Sequence, residues 1–211
     1  MKQKLMTQPQ SLQLRKVAVD KGFTAELTQK KLQPLWPQLL DALMKDVPIT
    51  IGIPLVPPPG GRIITFKAKV NLDQEWQSAV NDAEPNTPAS YNVRKVGDLY
   101  PTTGVGVVEE EFIALNYPNG DGSWDRALAW AQMFNLSRTV PREVFGVGAS
   151  HPNFNREHGL NPCYIVATTE CAFGGGRQAC CVWWSGADRG ASLRWVEGFG
   201  GRGGWFLFRK P

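Results

Sequence analysis

Four short apolar segments close the chain, and they constrain its fold more than any other feature. They are CYIVATTECAF from Cys163, QACCVWW from Gln178, SLRWV from Ser192 and WFLFRK from Trp205. All are rich in β-branched and aromatic residues, and glycine-rich stretches separate most of them, which is typical of strands joined by turns. We therefore expect the chain to end in four short antiparallel strands.

Two further strands are expected upstream. In RIITFKAKV, residues Ile64, Phe66, Ala68 and Val70 alternate and should face one way. The segment VGVVEEEFIALNYP gives a second strand, in which Glu109–Glu111 should form a solvated edge because unpaired carboxylates are rarely buried. The apolar run ITIGIPLV also resembles a strand, and the proline- and asparagine-rich stretch 80–92 predicts a loop.

Two helices are expected in the body of the chain. In WDRALAWAQMF, Ser123 is a suitable N-cap, and the apolar residues from Trp124 to Phe134 form one face. In RTVPREVFGVGA, Pro141 is suited to open a second helix.

The first fifty residues are expected to be mainly helical. Between Trp36 and Val47 the apolar positions repeat at three and four residues, so this stripe should pack on the body or on a partner. The sequence therefore predicts an N-terminal helical segment over residues 1–50 and a main domain over residues 51–211.

Composition excludes some classes of protein. The chain has 211 residues, of which 42% are hydrophobic and 20% charged, as in an ordinary globular protein. Its net charge of +4 is dispersed without a long basic run, which disfavours nucleic-acid binding. No apolar stretch reaches the roughly eighteen residues needed to span a bilayer, and the N-terminus has no apolar core of a secretory signal. No membrane insertion is expected, and the compartment stays open.

Four cysteines, Cys163, Cys171, Cys180 and Cys181, lie close together in the sequence. Neighbouring strand residues point to opposite faces, so Cys180 and Cys181 cannot easily serve one partner, and the spacings do not match zinc motifs. Buried free thiols are the simplest interpretation. A single disulfide or a metal site remain alternatives.

Asparagine and lysine almost vanish from residues 162–211, which contain no asparagine and only Lys210, although the first 161 residues carry ten of each. All codons for these two amino acids begin with two adenines. A segment without them that keeps its aromatic residues suggests side chains exchanged on a constant framework.

The order of helices and strands resembles that of the C-type lectin-like fold, which is an α+β fold. The resemblance rests on a strand, the capped SWDRALAWA helix, a short helix near RTVPREV and short antiparallel strands that end in FLFRK. It covers about residues 100–211. More specifically, the chain resembles the formylglycine-generating-enzyme-like branch of this fold. Within that branch the chain looks like the variable proteins of diversity-generating retroelements, most of all the archaeal ones. In that family a reverse transcriptase rewrites a C-terminal segment at template adenines.

The resemblance implies a division of roles within a variable region at about residues 182–209. Apolar strand residues, including Leu193, Trp195 and Phe206, would be the fixed framework. The exchangeable, ligand-contacting positions would be Ser185, Gly186, Ala187, Asp188, Arg189, Gly190, Ser192, Arg194, Gly198, Phe199, Gly200, Gly201, Arg202, Gly203, Gly204 and Trp205. Arg189, Arg194, Phe199 and Arg202 are expected to make most of the contact. Altered AAC and AAT codons cannot give tryptophan, so Trp205 fits better as framework or as a rim aromatic.

The resemblance thus implies a ligand-binding protein without enzymatic activity, cofactor or metal. Its partner would be an unknown macromolecule, a protein or glycan on another cell or particle. Two alternatives remain open. One is a structural or tail-fibre-like subunit of a phage or surface assembly. The other is a formylglycine-generating-type oxidase, which would need Cys163 paired with Cys171 or Cys180.

Overall fold

The computed structural model describes residues 54–84 and 89–211. The predicted N-terminal helical segment, with its stripe from Trp36 to Val47, lies outside the described residues. Residues Pro54–Pro211 form one of two compact units in the chain. The fold of this unit is mixed α+β, with a core made mainly of sheet.

The strands of the described residues join in one eight-stranded sheet. They are β1 Arg62–Asn71, β2 Val107–Asn116, β3 Ser137–Arg138, β4 Cys163–Ala167, β5 Cys171–Phe173, β6 Gly176–Ser185, β7 Asp188–Trp195 and β8 Gly204–Arg209. The order along the sheet is β1-β2-β8-β4-β6-β5, while β3 pairs with β8 and β7 pairs with β6. Four strands were expected at the C-terminal end of the chain and five are found, because the segment CYIVATTECAF forms two strands, β4 and β5.

One pairing differs from the antiparallel expectation. Strand β8 lies between β2 and β4, antiparallel to β2 but parallel to β4. After the β6–β7 hairpin the chain crosses to this central place, where β8 is hydrogen-bonded on both sides. Its residues from Gly204 to Phe208 are consequently all buried.

Five α-helices are found in the described part of the chain. They are α1 Trp76–Ala83, α2 Tyr91–Lys95, α3 Trp124–Met133, α4 Pro141–Ser150 and α5 Phe154–Glu157. Helices α3 and α4 were expected, and both begin as predicted: the Ser123 hydroxyl accepts a hydrogen bond from the Arg126 amide at 3.2 Å, and Pro141 opens α4.

The two faces of β8 divide the core between two helical layers. Trp205 and Leu207 belong to one cluster, which also contains Val144 and Val147 of α4. Phe206 and Phe208 belong to the other, together with residues of α3. Because strand residues alternate between faces, one short strand serves both layers.

The prediction of a loop over residues 80–92 was wrong at both ends. Helix α1 runs to Ala83, and α2 begins at Tyr91. Helix α1 begins at an unusual cap, since the Glu75 carboxylate accepts the Ser78 amide hydrogen at 2.9 Å. In the run ITIGIPLV, residues 54–56 are not in a strand, and the remainder lies outside the described residues.

Candidate binding face

Part of the sheet surface on the side of α3 is formed by alternate residues of β4, β6 and β7. Opposed residues in a sheet share a face, and the register pairs Tyr164 with Trp183, Trp183 with Gly190, and Cys181 with Ser192. Arg194 lies two residues beyond Ser192 on the same face. We call the surface made by Tyr164, Trp183, Gly190, Ser192 and Arg194 the open face.

An arginine and a tyrosine are stacked on the open face. The Arg194 guanidinium carbon lies 4.7 Å from the centre of the Tyr164 ring, within range of a cation–π interaction. Its Nε donates to the Ser192 hydroxyl at 3.4 Å. Both contacts orient a side chain that is otherwise exposed.

Trp183 is half-buried, and its ring lies across Gly190. A Cβ atom at position 190 would come within 2.7 Å of the Trp183 ring. A side chain at position 190 would displace the Trp183 indole, so Gly190 belongs to the framework. The prediction that Gly190 is exchangeable does not agree with this contact.

A groove borders the open face at the C-terminal end of β7. It encloses about 490 Å³ and lies among Tyr164, Leu193, Arg194, Trp195 and the glycine-rich turn of residues 198–204. Trp195 is 49% exposed, although it was expected to belong to the buried framework, and its ring lies over Gly176 on the other face of the sheet. It ends β7 and leaves the apolar core, so this expectation was wrong.

A buried asparagine, Asn116, is hydrogen-bonded to the backbone of the glycine-rich turn. The Asn116 side-chain amide donates to the carbonyls of Arg202 at 2.9 Å and Gly204 at 2.8 Å. Its oxygen accepts from Arg62 Nε at 2.9 Å. Since Asn116 is completely buried and uses both ends of its amide, it fixes the backbone of the turn.

Half of the sixteen predicted contact positions are exposed, but they form two groups. Arg194, Gly198 and Gly201 are exposed along the groove, and Arg202 is exposed in the same glycine-rich turn, whereas residues 185–188 lie at the β6–β7 turn. Strand β7 separates the groups by about 20 Å at 3.3 Å per residue. The turn lines a second cavity of about 330 Å³, together with Asn155 and Asn161.

Arg189 corrects the prediction most clearly. It is 5% exposed, because its strand position faces the helical layer of α4. Its guanidinium donates to the carbonyl of Gly148 and, at 3.3 Å, to that of Asp82. These groups lie near the C-terminal ends of α4 and α1, so Arg189 satisfies helix carbonyls instead of reaching a ligand.

Two predicted exchangeable glycines are fixed by close backbone approach. A Cβ atom at Gly200 would lie 2.1 Å from the Gly122 carbonyl oxygen, and one at Gly204 would lie 2.1 Å from that of Phe199. By contrast, Gly198 and Gly201 face open space. The turn thus alternates between positions that require glycine and positions that tolerate a side chain.

The other buried positions of the predicted set are aromatic or small. Phe199 is 3% exposed and packs against Trp124, with ring centres 6.5 Å apart. Trp205 is 1% exposed and lies under the Arg62 guanidinium at 4.8 Å, which agrees with the framework role expected from its codon. Ser192 is covered by Arg194 and lies 3.2 Å from the Cys181 sulfur.

Tyr164 is a groove residue that the sequence did not predict. It lies before the variable region and inside an apolar strand, so the sequence marks it only as one alternating aromatic. Its register opposite Gly204 and Trp183 places it between the turn and the open face. Such long-range pairing could not be read from local pattern.

All four cysteines are free thiols, and Cys163, Cys180 and Cys181 are buried. Burial raises the pKa of the Cys163 thiol to about 12 and that of Cys181 to about 11, and it raises the pKa of Cys180 well above its ordinary value. Cys163 pairs with Trp184, four residues along β6 from Cys180, or about 13 Å at 3.3 Å per residue. These two sulfurs are too far apart to form a disulfide.

No protein-family model, no curated protein and no solved structure matches this chain. Among the described residues, no helix is long and apolar enough to cross a membrane.

Proposed function

We propose that this chain is a ligand-binding protein without enzymatic activity, whose groove and open face are varied by adenine-directed retroelement mutagenesis. The observation that carries the proposal is the location of the exposed Arg194, Gly198, Gly201 and Arg202. All lie in the asparagine-free segment and are exposed, so they can change without entering the core, and Arg194, Gly198 and Gly201 line one groove.

The backbone around these positions supports the proposal. Arg194 projects from β7, a strand paired along its whole length with β6. The turn is fixed by Asn116 and by the hydrogen bond from the Tyr164 amide to the Gly203 carbonyl at 2.8 Å. A rigid support lowers the entropy cost of binding, so each new side chain contributes more of its contact energy.

The chemistry of the groove also fits recognition of a macromolecule. Tyrosine and arginine are among the residues that give the largest contact energies in protein interfaces, and Tyr164 and Arg194 line this groove. As the fold behind this surface we propose the C-type lectin-like fold, in the branch that also contains formylglycine-generating enzymes. The capped helix α3, the helix α4 and the final strand β8 follow the expected order.

The positions of Cys163 and Cys180 argue against the alternative of a formylglycine-generating-type oxidase. That chemistry needs two neighbouring cysteines that can form thiolates. Cys163 and Cys180 are buried, have raised pKa values and lie apart along the sheet. This arrangement favours the binding function.

The DNA around the gene tests the proposal. We expect a reverse-transcriptase gene nearby and a non-coding near-copy of the 3′ end of the coding sequence. The near-copy should differ from the gene at adenines of the copy. A locus without such a near-copy would remove the proposed function.

A further inference from the structure

The groove at the C-terminal end of β7 offers a positive charge but little aromatic surface. Among the described residues that line it, Arg194 alone has a charged side chain. Its guanidinium lies over the Tyr164 ring, Phe199 is buried, and the Trp195 ring lies on the other face of the sheet. An apolar group of a ligand would therefore gain little contact here, whereas an anion would meet a cation.

Two backbone amides of the glycine-rich turn add hydrogen-bond donors. The carbonyls of Gly200 and Arg202 accept hydrogen bonds from other parts of the protein, at 3.3 Å and 2.9 Å. The C=O and N–H of a trans peptide point in opposite directions, so the amides of Gly201 and Gly203 point away from these contacts. Within residues 54–84 and 89–211 neither amide has a hydrogen-bond acceptor, and both residues line the groove.

An unpaired acceptor lies beside one of these donors. Across the described part of the chain, the Pro162 carbonyl accepts no hydrogen bond. A Cβ atom on Gly203 would lie 3.1 Å from the Pro162 carbonyl oxygen, so the two backbones are neighbours in the groove. A hydroxyl group both donates and accepts, so it can pair with the N–H and with the C=O, whereas a carboxylate can pair only with the N–H.

The groove thus combines a cation with unpaired backbone donors and an acceptor. We propose that the groove of this variant binds an acidic sugar, a glycan residue that carries a carboxylate beside its ring hydroxyls. The inference rests on the proposed binding function and names the chemistry of its ligand. The carboxylate would pair with Arg194, and the hydroxyls would pair with the amides of Gly201 and Gly203 and the carbonyl of Pro162.

The orientation of Arg194 supports the ion pair. Its guanidinium lies over the Tyr164 ring, and its Nε is directed to Ser192. Among the residues that the structure describes, the two terminal nitrogens of Arg194 have no acceptor. A guanidinium that lies over an aromatic ring keeps its edge donors available, and two parallel N–H donors match a carboxylate.

The unpaired backbone groups favour a sugar over an acidic side chain of a protein partner. A backbone group that loses its water on binding and gains no partner weakens the complex. An aspartate or glutamate side chain would pair with Arg194 and leave the Pro162 carbonyl without a donor. An acidic sugar carries its carboxylate and hydroxyls on one rigid ring, and the groove volume of about 490 Å³ is within the range of small-molecule sites.

Three matched probes test the inference. They are methyl β-D-glucuronide, methyl β-D-glucoside, which lacks the charge, and cyclohexanecarboxylate, which keeps the charge but lacks the hydroxyls. Binding to the full chain is measured by NMR from the shifts of backbone amide signals. We expect the glucuronide to bind with a dissociation constant on the order of 1 mM, as suits a ligand of this size. Each of the other two should bind about tenfold more weakly, because each lacks one set of contacts.

Shifts and variants locate the site. The glucuronide should shift the amide signals of Gly201 and Gly203 but not that of Gly186, which lines the other cavity. R194Q should bind the glucuronide and the glucoside alike. R156Q is the matched control, because Arg156 is an exposed arginine at the other cavity, and it should change no affinity. An unchanged amide spectrum outside the groove shows that each variant is folded.

Four results would overturn the inference: equal affinity for the glucuronide and the glucoside, no binding of the glucuronide, shifts confined to the other cavity, or cyclohexanecarboxylate binding at least as tightly as the glucuronide. The last result would assign the groove to an acidic side chain of a protein partner. None of these would touch the test of the proposed function at the DNA. Conversely, a locus without a near-copy removes that function while a selective groove would still stand.

Discussion

Replacing Gly200 by alanine tests how the glycine-rich turn is built. The new Cβ would lie 2.1 Å from the Gly122 carbonyl oxygen, a backbone atom that cannot rotate away. The turn would have to move, which strains the hydrogen bond from the Gly122 amide to the Gly200 carbonyl at 3.3 Å. Overpacking costs about 1–3 kcal/mol and a lost hydrogen bond about 1 kcal/mol, so we expect a loss of about 2–4 kcal/mol.

Gly198→Ala is the matched control in the same turn. A Cβ at Gly198 meets nothing within 4 Å, so we expect a change below about 0.5 kcal/mol. The free energy of unfolding of both variants is measured by urea titration with tryptophan fluorescence. In thermal unfolding G200A should melt roughly 10 °C below the parent, given about 2–4 °C per kcal/mol for a domain of this size. If both variants unfold alike, the close approach at Gly200 does not constrain the turn.

Two further predictions concern buried titratable groups. In the native protein at pH 8, a thiol reagent should modify Cys171 rapidly and the other three cysteines only after unfolding. Those three thiols are buried, and burial raises their pKa values. Rapid reaction of all four cysteines would contradict the packing of the sheet. Burial also raises the pKa of the Glu143 carboxyl above its ordinary value of 4.5, against the lowering effects of the Val140 amide and Arg209. A raised carboxyl pKa contributes stability that is present below 4.5 and is lost as the pH rises through the folded-state pKa. E143Q should therefore gain stability relative to the parent as the pH rises above 4.5, as measured by urea titration at each pH; a difference that stays constant or falls with rising pH would refute the direction of the pKa shift.

The sequence was most informative where one local pattern decides the structure. Alternation of Ile64, Phe66, Ala68 and Val70 correctly predicted a strand with one apolar face, and all four pack on the same cluster. Ser123 and Pro141 correctly marked the starts of two helices. In each case the deciding residues are neighbours in the sequence.

Exposure of the predicted contact residues depended on distant parts of the chain. Arg189 carries a charge that suggests a surface position, but the ends of α1 and α4 supply the carbonyls that make its burial possible. Gly200 and Gly204 look like flexible, replaceable residues, yet the backbones of Gly122 and Phe199 leave no room for a side chain. Composition alone could not separate these glycines from Gly198 and Gly201.

Codon-by-codon comparison of the gene with a near-copy of its 3′ end shows whether substitution is confined to exposed residues. We expect adenine-linked differences at the codons of exposed residues, such as Arg194, Gly198, Gly201 and Arg202. We expect none at the codons of Arg189, Gly200 and Gly204, whose contacts maintain the fold. Differences spread equally over exposed and buried codons, or located away from adenines, would contradict the claim that substitution is confined to a surface on a constant framework.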